Sequence, residues 1–369
     1  MEIKILESGK NSVSEYFRMG AVDGEGEIYS KGNFRYRNTA FGGCMIKTMT
    51  AGGIATPVHL RRGGNVRKIF EFMHQKAYSD GVGVAILHPF SFAYYNKFGY
   101  EKMADHIIAR VPIRYVDFVP RRCTLKPYSE DMLSDVIEVY GKFARERYLL
   151  FERKTAEQFN AYKDAMTYVC YIDGKAEGYI TFTTEKRLEI NHFEDGVMRV
   201  KEMVYTCPEA LRELFSFIRM YEGELEDVEF ANLSMTPDVD MMMRNYTHTS
   251  YRILPDIAAK IINTEMMLTA LSHPASEGKL SLSIPEGDDG VRGNYLAEWG
   301  GNDIRVKRLS EKCDTDLTLT PCALARLTYG YDNLTPLTLP YLTGIEVSSN
   351  AEGACALFTK KPVGLFEHF

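Results

Sequence analysis

"HLRRGGNVRKIFEFM", residues 59–73, sets two arginines and two glycines directly before a helical pattern. The apolar residues that follow recur at the spacing of one helix face, at Val66, Ile69, Phe70, Met73 and Ala77. "SDG" at 79–81 breaks the pattern, and Gly81 is the expected left-handed residue after the helix. The stretch therefore predicts a basic, glycine-containing turn at the N-terminus of one amphipathic helix.

The segments on either side of this helix have the pattern of β-strands. "MIKTMTAGGIATPV" (45–58) precedes it, and "VGVAILH" (82–88) follows as a short apolar run typical of a buried parallel strand. "FGYEKMADHIIARVPI" (98–113) supplies one or two further strands. Strand, turn, helix and strand form a βαβ unit with a right-handed crossover. The turn then lies at the carboxyl edge of the sheet, where open α/β sheets bind ligands.

The turn has the composition of an anion site. The first N–H groups of a helix have no intrahelical acceptor, and the helix dipole places about half a positive charge there. Gly63 and Gly64 keep those amides accessible, while Arg61, Arg62 and Arg67 add full charges. A pyrophosphate is the natural ligand for such a site. The alternative is a glycine turn with solvated arginines, and neither GxxxxGK[ST] nor GxGxxG is present.

The motif that does fit is R/Q-x-x-G-x-G/A after a strand. It is present as Arg61-Arg62-Gly63-Gly64-Asn65-Val66, with Val66 in place of the usual small residue. Here the sequence resembles the GNAT superfamily of acetyl-coenzyme A-dependent N-acetyltransferases. Together with "FSFAYYNKFGYE" (90–101), it resembles the branch named for enhanced intracellular survival. "DTDLTLTPCALARLTYGY" (314–331) independently resembles a domain similar to sterol carrier protein.

This resemblance implies an α/β and α+β fold with three regions. Residues 1–118 are expected to form the catalytic GNAT domain, and residues 119–270 a second GNAT-like domain without the cofactor turn. Residues 271–369 are expected to form a sterol-carrier-protein-like α+β domain that supplies the C-terminal carboxylate. Local patterns agree: a hairpin turn is predicted at Asp173-Gly174 and a helix capped by Thr320. We expect one cofactor site per chain.

The resemblance also implies roles for individual residues. The strand Ile54, Ala55 and Thr56 would bind the pantetheine arm through its backbone. The pyrophosphate would lie on the turn, at Arg61, Arg62, Gly63, Gly64, Asn65, Val66 and Arg67. Phe90 and Ser91 would flank the cofactor.

Two residues are expected to be catalytic. Tyr95 would protonate the leaving thiolate, because an amine that attacks a thioester expels coenzyme A as an anion. Periodicity does not separate Tyr95 from Tyr94; the alignment to "YxxFGY" selects Tyr95. The carboxylate of Phe369 would accept the proton of the amine. The alternatives are aromatic packing for Tyr95 and a frayed tail for Phe369, although "PVGLF" before it is apolar.

The predicted function is therefore acetyl transfer from acetyl-coenzyme A to a primary amine by direct attack. The acceptor would be aminoglycoside-like, a polyamine or a lysine, and an acidic C-terminal region favours cationic amines. Counted back from the turn, the chain has roughly thirty fewer N-terminal residues than the family pattern, and the missing stretch would include part of the two helices that wall the acceptor pocket. Either the pocket is then more open, or neighbouring segments complete it. The alternatives are a non-catalytic coenzyme A- or lipid-binding module with the same fold and a scaffolding protein.

Composition excludes several other classes of protein. The 369 residues carry a net charge of −6, with 45% hydrophobic and 25% charged residues, as expected of a globular protein that does not bind nucleic acid. The seven cysteines and eight histidines are dispersed, without CxxC or HExxH, so no metal site is predicted. No long apolar run or leader segment is present, so we expect a cytoplasmic protein without membrane contact. Relatives assemble as hexamers, and a homo-oligomer is expected.

Overall fold

The computed structural model describes residues 1–117, 123–160, 162–185, 196–243, 245–301, 303–310, 313–367 and 369. These residues form two compact units. The first unit contains residues 1–104, 256–361 and Phe369, and the second contains residues 105–255 and 362–368.

The strands and helices are numbered in chain order. The strands are β1 (Glu2–Lys10), β2 (Glu15–Val22), β3 (Ile28–Phe41), β4 (Cys44–Ala55), β5 (Val84–Leu87), β6 (Glu101–Lys102), β7 (Asp105–Pro112), β8 (Thr124–Pro127), β9 (Met166–Ile172), β10 (Lys175–Glu185), β11 (Val197–Tyr205), β12 (Asp227–Phe230), β13 (Ser250–Pro255), β14 (Ala258–Ile261), β15 (Gly278–Ile284), β16 (Gly293–Gly300), β17 (Asp303–Leu309), β18 (Leu317–Leu319) and β19 (Ile345–Val347). The helices are α1 (Asn65–Ser79), α2 (Phe92–Tyr95), α3 (Leu133–Arg145), α4 (Ala156–Phe159), α5 (Pro208–Arg219), α6 (Pro237–Met242), α7 (Thr264–Thr269), α8 (Pro321–Thr328) and α9 (Ala351–Leu357).

The first sheet has the order β1-β2-β3-β4-β5-β14-β6. Strands β4 and β5 are parallel and connected by α1, so the predicted βαβ unit is confirmed. Helix α1 buries Ile69, Phe70 and Met73 against the sheet, because these residues lie on one face of the helix. Residue Gly81, at φ 73°, follows the helix in the left-handed conformation, as predicted.

The second sheet has the order β13-β7-β12-β11-β10-β9-β8. Its hairpin between β9 and β10 turns at Asp173 and Gly174, which both have positive φ, as the sequence predicts. Strand β11 leads through α5 into the parallel strand β12. The second sheet thus repeats the strand–helix–strand arrangement of the first.

A third sheet, with the order β17-β16-β15-β18-β19, belongs to the first compact unit. Its strand β18 is followed by α8, whose N-cap Thr320 accepts a hydrogen bond from the Ala323 N–H at 3.2 Å. Pro321 occupies the first helical position, where its missing N–H has no cost. The predicted start of this helix is confirmed.

The compact units divide the chain differently from the predicted boundaries at 118/119 and 270/271. Strand β7, expected in the first region, pairs with β12 and β13 of the second sheet. Strand β14, expected in the second region, pairs with β5 and β6 of the first sheet. The physical reason is that an apolar strand pattern specifies burial but not which sheet provides the partner strands.

The C-terminal segment 362–367 packs on the second unit. A parallel bridge joins Val363 to Tyr148, and the Tyr148 N–H donates to the Pro362 carbonyl at 2.9 Å. The buried Arg153 guanidinium bonds both oxygens of Glu202, at 2.9 and 2.7 Å, and donates from Nε to Glu367 at 2.8 Å. This segment is therefore held by main-chain and charge-assisted hydrogen bonds together.

Within the described residues, no helix combines the length and the apolarity that a membrane crossing requires. The same residues contain no group of three or more His, Cys, Asp or Glu side chains arranged around a common point.

Candidate active site

The turn before α1 exposes unbonded backbone amides. Its N-cap, Gly64, has a left-handed φ of 75°, and no side chain caps the first turn. The first backbone bond at this end is from the Lys68 N–H to the Gly64 carbonyl, at 3.2 Å. The N–H groups of Asn65, Val66 and Arg67 thus have no acceptor among the described residues. They are available to an anion.

The space in front of these amides is open. A Cβ added to Gly64 would meet nothing within 4 Å, and one added to Gly63 would make only ordinary contacts. Arg62 also has a left-handed φ, 70°, which is unusual for a residue with a side chain and is found most often at functional turns. The backbone therefore curves into a nest whose amides are not blocked by the chain's own side chains.

Three exposed arginines, Arg61, Arg62 and Arg67, belong to the turn and to the first turn of α1. Arg61 donates from Nε to the Thr56 carbonyl at 3.3 Å, which ties it to the end of β4. The Arg67 guanidinium lies 5.3 Å from the centre of the Phe98 ring. Unbonded amides, an open cradle and three guanidinium groups fit the pyrophosphate of coenzyme A.

Strand β4 separates from β5 on the side of the turn. It pairs with β5 only from Thr48 to Thr50, but with β3 as far as Ala55. A bulge at Gly53, with φ 59°, accompanies the separation. Residues 51–55 therefore have a strand partner on only one side within the described chain. Such an edge can bind an extended ligand as an additional strand.

The predicted pantetheine residues lie at this edge. The side chain of Ile54 is half-buried against the core of the sheet, and Ala55 is exposed. The Thr56 hydroxyl is 2.8 Å from that of Ser30, in the adjacent strand. These contacts fix the edge while leaving its backbone accessible.

Tyr95 is the last residue of α2, which begins after β5. Ser91 caps this helix by accepting from the Tyr94 N–H at 3.3 Å. Tyr95 is 5% exposed and packs with Phe70, Phe90 and Tyr94. Burial, and then the neighbouring Tyr94, raise the pKa of Tyr95 to about 12. The phenol carries its proton at neutral pH, as any tyrosine does and as a proton donor must, and the raised pKa extends this state to alkaline pH.

Phe369 lies on β4 in the first unit. Its carbonyl oxygen is 3.7 Å from the position that a Cβ on Gly52 would occupy. Its ring lies 4.7 Å from the ring of His88, whose Nδ1 is 2.9 Å from Asp256 Oδ1. His88 and Phe90 are two residues apart, so one short segment contacts both Phe369 and Tyr95. The exposed ring of Phe90 lies 5.4 Å from that of Tyr95.

A cavity of about 350 Å³ adjoins Phe369. It is lined by residues of β1 to β4 and by Phe369, namely Glu7, Tyr16, Phe17, Arg18, Asn33, Phe34, Arg35, Thr50, Gly52, Gly53 and Phe369. Sequence reasoning missed these polar strand residues. Their only signal was alternation along β3, where Phe34 and Tyr36 are buried while Asn33 and Arg35 are exposed.

Strands β1 and β2 are joined directly by residues 11–14. The Asn11 side chain accepts from the N–H groups of Val13 and Ser14, at 3.0 and 2.7 Å, and closes the turn. In the described residues no α-helix precedes α1. Residues of β1 and β2 therefore line the cavity beside Phe369 on the side of this hairpin.

Comparisons with known proteins agree with this arrangement. Residues 2–103 and residues 141–261 each match a model of the acetyltransferase (GNAT) domain. No curated protein sequence matches the chain.

Solved structures share the fold over nearly the whole chain. A GCN5-related N-acetyltransferase from Anabaena variabilis ATCC 29413 is 17% identical with a TM-score of 0.82, covering 96% of this chain and 89% of that one. A conserved protein of unknown function and probable N-acyltransferase from Enterococcus faecalis V583 is 20% identical with a TM-score of 0.77, covering 97% and 90%. Eis1 from Mycobacterium abscessus is 16% identical with a TM-score of 0.76, covering 95% and 90%.

Proposed function

This chain is an acetyltransferase with two tandem GNAT domains, and we propose that it transfers acetyl groups from acetyl-coenzyme A to a primary amine. The observation that carries the proposal is the uncapped start of α1, whose unbonded amides lie beside the separated edge of β4. The first domain has this turn. The second has Pro208 and Glu209 at the start of α5, and a carboxylate there disfavours a phosphate.

The bound substrate supplies a thioester, which is an activated acetyl group. The amides of residues 65–67 and the surrounding arginines hold its diphosphate, and the edge of β4 aligns its pantetheine arm. The attacking amine forms the new C–N bond as the C–S bond breaks. Tyr95 donates its phenolic proton to the departing sulfur.

The amine must lose a proton during the transfer. The carboxylate of Phe369 accepts it, because it lies on β4 beside the cavity in which an acceptor fits. Its ordinary pKa of about 3.5 makes it a weak base, so partial burial, which raises the pKa of a carboxyl group, must assist it.

The test is release of free thiol from acetyl-coenzyme A by the untagged chain, with a panel of amines. We expect turnover with at least one amine, and calorimetry should give one coenzyme A per chain. Extension of the chain beyond Phe369 by a short tag should lower kcat by at least about 100-fold, as loss of a general base does. A matched tag at the N-terminus is the control. Unchanged turnover with the C-terminal tag would remove Phe369 from the mechanism.

We further propose that the third sheet and its helices are the sterol-carrier-protein-like domain implied by the sequence, and that the chain self-associates in the cytoplasm. Light scattering of the untagged protein tests the assembly. A monomer at micromolar concentration would overturn that part of the proposal and leave the proposed chemistry intact.

A further inference from the structure

The cavity beside Phe369 is built from two cross-strand rows of residues. Strand register places Glu7, Arg18, Asn33 and Gly52 opposite one another in the first row. It places Gly9, Tyr16, Arg35 and Thr50 in the second. The carbonyl of Phe369 lies at the Gly52 end of the first row. Arg35 lies two residues along β3 from Asn33, which is about 7 Å.

The charges of Glu7 and Arg18 compensate each other. Their side chains approach to 3.8 Å, and Glu7 also accepts a hydrogen bond from the Tyr16 hydroxyl at 3.0 Å. The Tyr16 ring lies over Gly9, where an added Cβ would come within 2.5 Å of it. Tyr16 is thus directed toward β1, away from Arg35, and Glu7 is already bonded to two groups.

Two further charged groups line the cavity. One is the carboxylate of Phe369. The other is the guanidinium of Arg35, which is exposed and has no carboxylate partner among the described residues. A polycationic acceptor needs several carboxylates and would be repelled by Arg35. A small amine that carries its own anionic group finds one cation and one anion in the lining of the same cavity.

We propose that the acceptor is a small amino carboxylate, whose amine faces Phe369 and whose carboxylate is bound by Arg35. This inference rests on the proposed function and names the acceptor class of the same site. It replaces the cationic acceptor favoured by the acidic C-terminal sequence. A guanidinium bonds a carboxylate in bidentate fashion, so Arg35 also orients the amine.

The experiment measures kcat/KM for ω-amino carboxylates of increasing chain length and for their carboxamides. Each pair is compared at equal concentration of neutral amine. We expect the carboxylate to be preferred by about 10-fold or more, the usual contribution of a hydrogen bond to a charged group. In Arg35→Gln this ratio should fall close to 1, mainly through KM. Arg305→Gln, the same change on an exposed strand of the third sheet, should keep the wild-type ratio.

The outcomes separate the two proposals. Turnover of polyamines or aminoglycosides without turnover of amino carboxylates would overturn the inference and leave the proposed function standing. An equal loss for carboxylate and carboxamide in Arg35→Gln would also overturn it, because Arg35 would then have no role specific to the anion. Coenzyme A binding without turnover of any amine would overturn the proposed function and the inference together.

Discussion

Tyr95 is the single side chain expected to donate a proton. Burial raises the pKa of its phenol to about 12, so the phenol stays protonated even at alkaline pH. Tyr95→Phe should lower kcat by about 100-fold or more, since loss of general acid catalysis has this magnitude. Steady-state thiol release measures it. Tyr94→Phe is the matched control, and an equal loss in the control would assign the effect to packing of the aromatic cluster.

Gly63 and Gly64 are neighbours with different conformational requirements. Gly64 has a left-handed φ of 75°, whereas Gly63 does not. Gly64→Ala should therefore lower the free energy of unfolding by about 1–2 kcal/mol, the cost of that conformation for a residue with Cβ. Gly63→Ala should change it by less than about 0.5 kcal/mol. Denaturant titration measures both, and equal losses would contradict the assigned backbone geometry.

The buried imidazole of His74 should make the stability of the first unit depend on pH. It is 4% exposed, its Nε2 is 3.0 Å from the Tyr100 hydroxyl, and its Nδ1 is 3.7 Å from Asp288. The Lys260 ammonium, 2.6 Å from Asp288, adds positive charge beside it. Burial, and then Lys260, hold the pKa of His74 well below its usual range.

His74 therefore stays neutral in the folded chain and takes up a proton on unfolding below about pH 6.5. The contribution of His74 to the free energy of unfolding is fully present above that pH. It is lost as the pH falls, by at most about 1.4 kcal/mol per pH unit. His74→Gln, which can still bond Tyr100, should flatten the acid side of the stability profile. Chemical unfolding between pH 5 and about 7.5 tests this range. A profile that keeps the wild-type slope would contradict it.

At the scale of elements, the C-terminal segment depends on one buried ion cluster. Arg153 and Glu202 have side chains that are 0% and 2% exposed, and Arg153 also bonds Glu367. Arg153→Met leaves the Glu202 carboxylate buried without its cation. It should lower the free energy of unfolding by about 3–5 kcal/mol.

Two further variants make this prediction specific. Adding Glu202→Met to Arg153→Met should recover part of the loss, because no unpaired charge is then buried. Arg212→Met removes an exposed partner of Glu209 and should cost less than about 1 kcal/mol. Thermal unfolding compares the three proteins. Equal losses for Arg153→Met and Arg212→Met would show that the cluster contributes no more than a surface pair.

Elements with strong local signals were predicted from the sequence. Three such signals depend only on neighbours within a few residues. They are the apolar face of α1, the positive-φ turn at Asp173-Gly174 and the N-cap Thr320. The separation of β4 from β5 was not derivable from the residues, because it depends on where a distant strand stops pairing. The Arg153 cluster was missed for the same reason, since its carboxylates lie far away in sequence.

At the scale of the whole molecule, the sequence predicted the three-sheet organisation through motifs, but not the path of the chain between sheets. Strand β7 follows the first sheet in sequence and pairs in the second, and β14 follows the second and pairs in the first. The site was predicted in part. The anion turn is local in sequence, whereas Arg18 and Arg35 line one cavity only because of the sheet register. A contact of this kind has no local pattern.

Because β7 pairs in the second sheet and β14 in the first, a cut at 118/119 divides both sheets. Strand β14 lies between β5 and β6, so a gene truncated after residue 118 would encode a sheet with an internal gap. The complementary fragment, beginning at residue 119, would lack β7 between β12 and β13. Each fragment should be insoluble when expressed alone, and co-expression should restore a soluble complex with acetyl-transfer activity. A soluble, cooperatively unfolding fragment 1–118 would contradict this. Recombination at residue 118 would therefore separate each sheet from one of its inner strands.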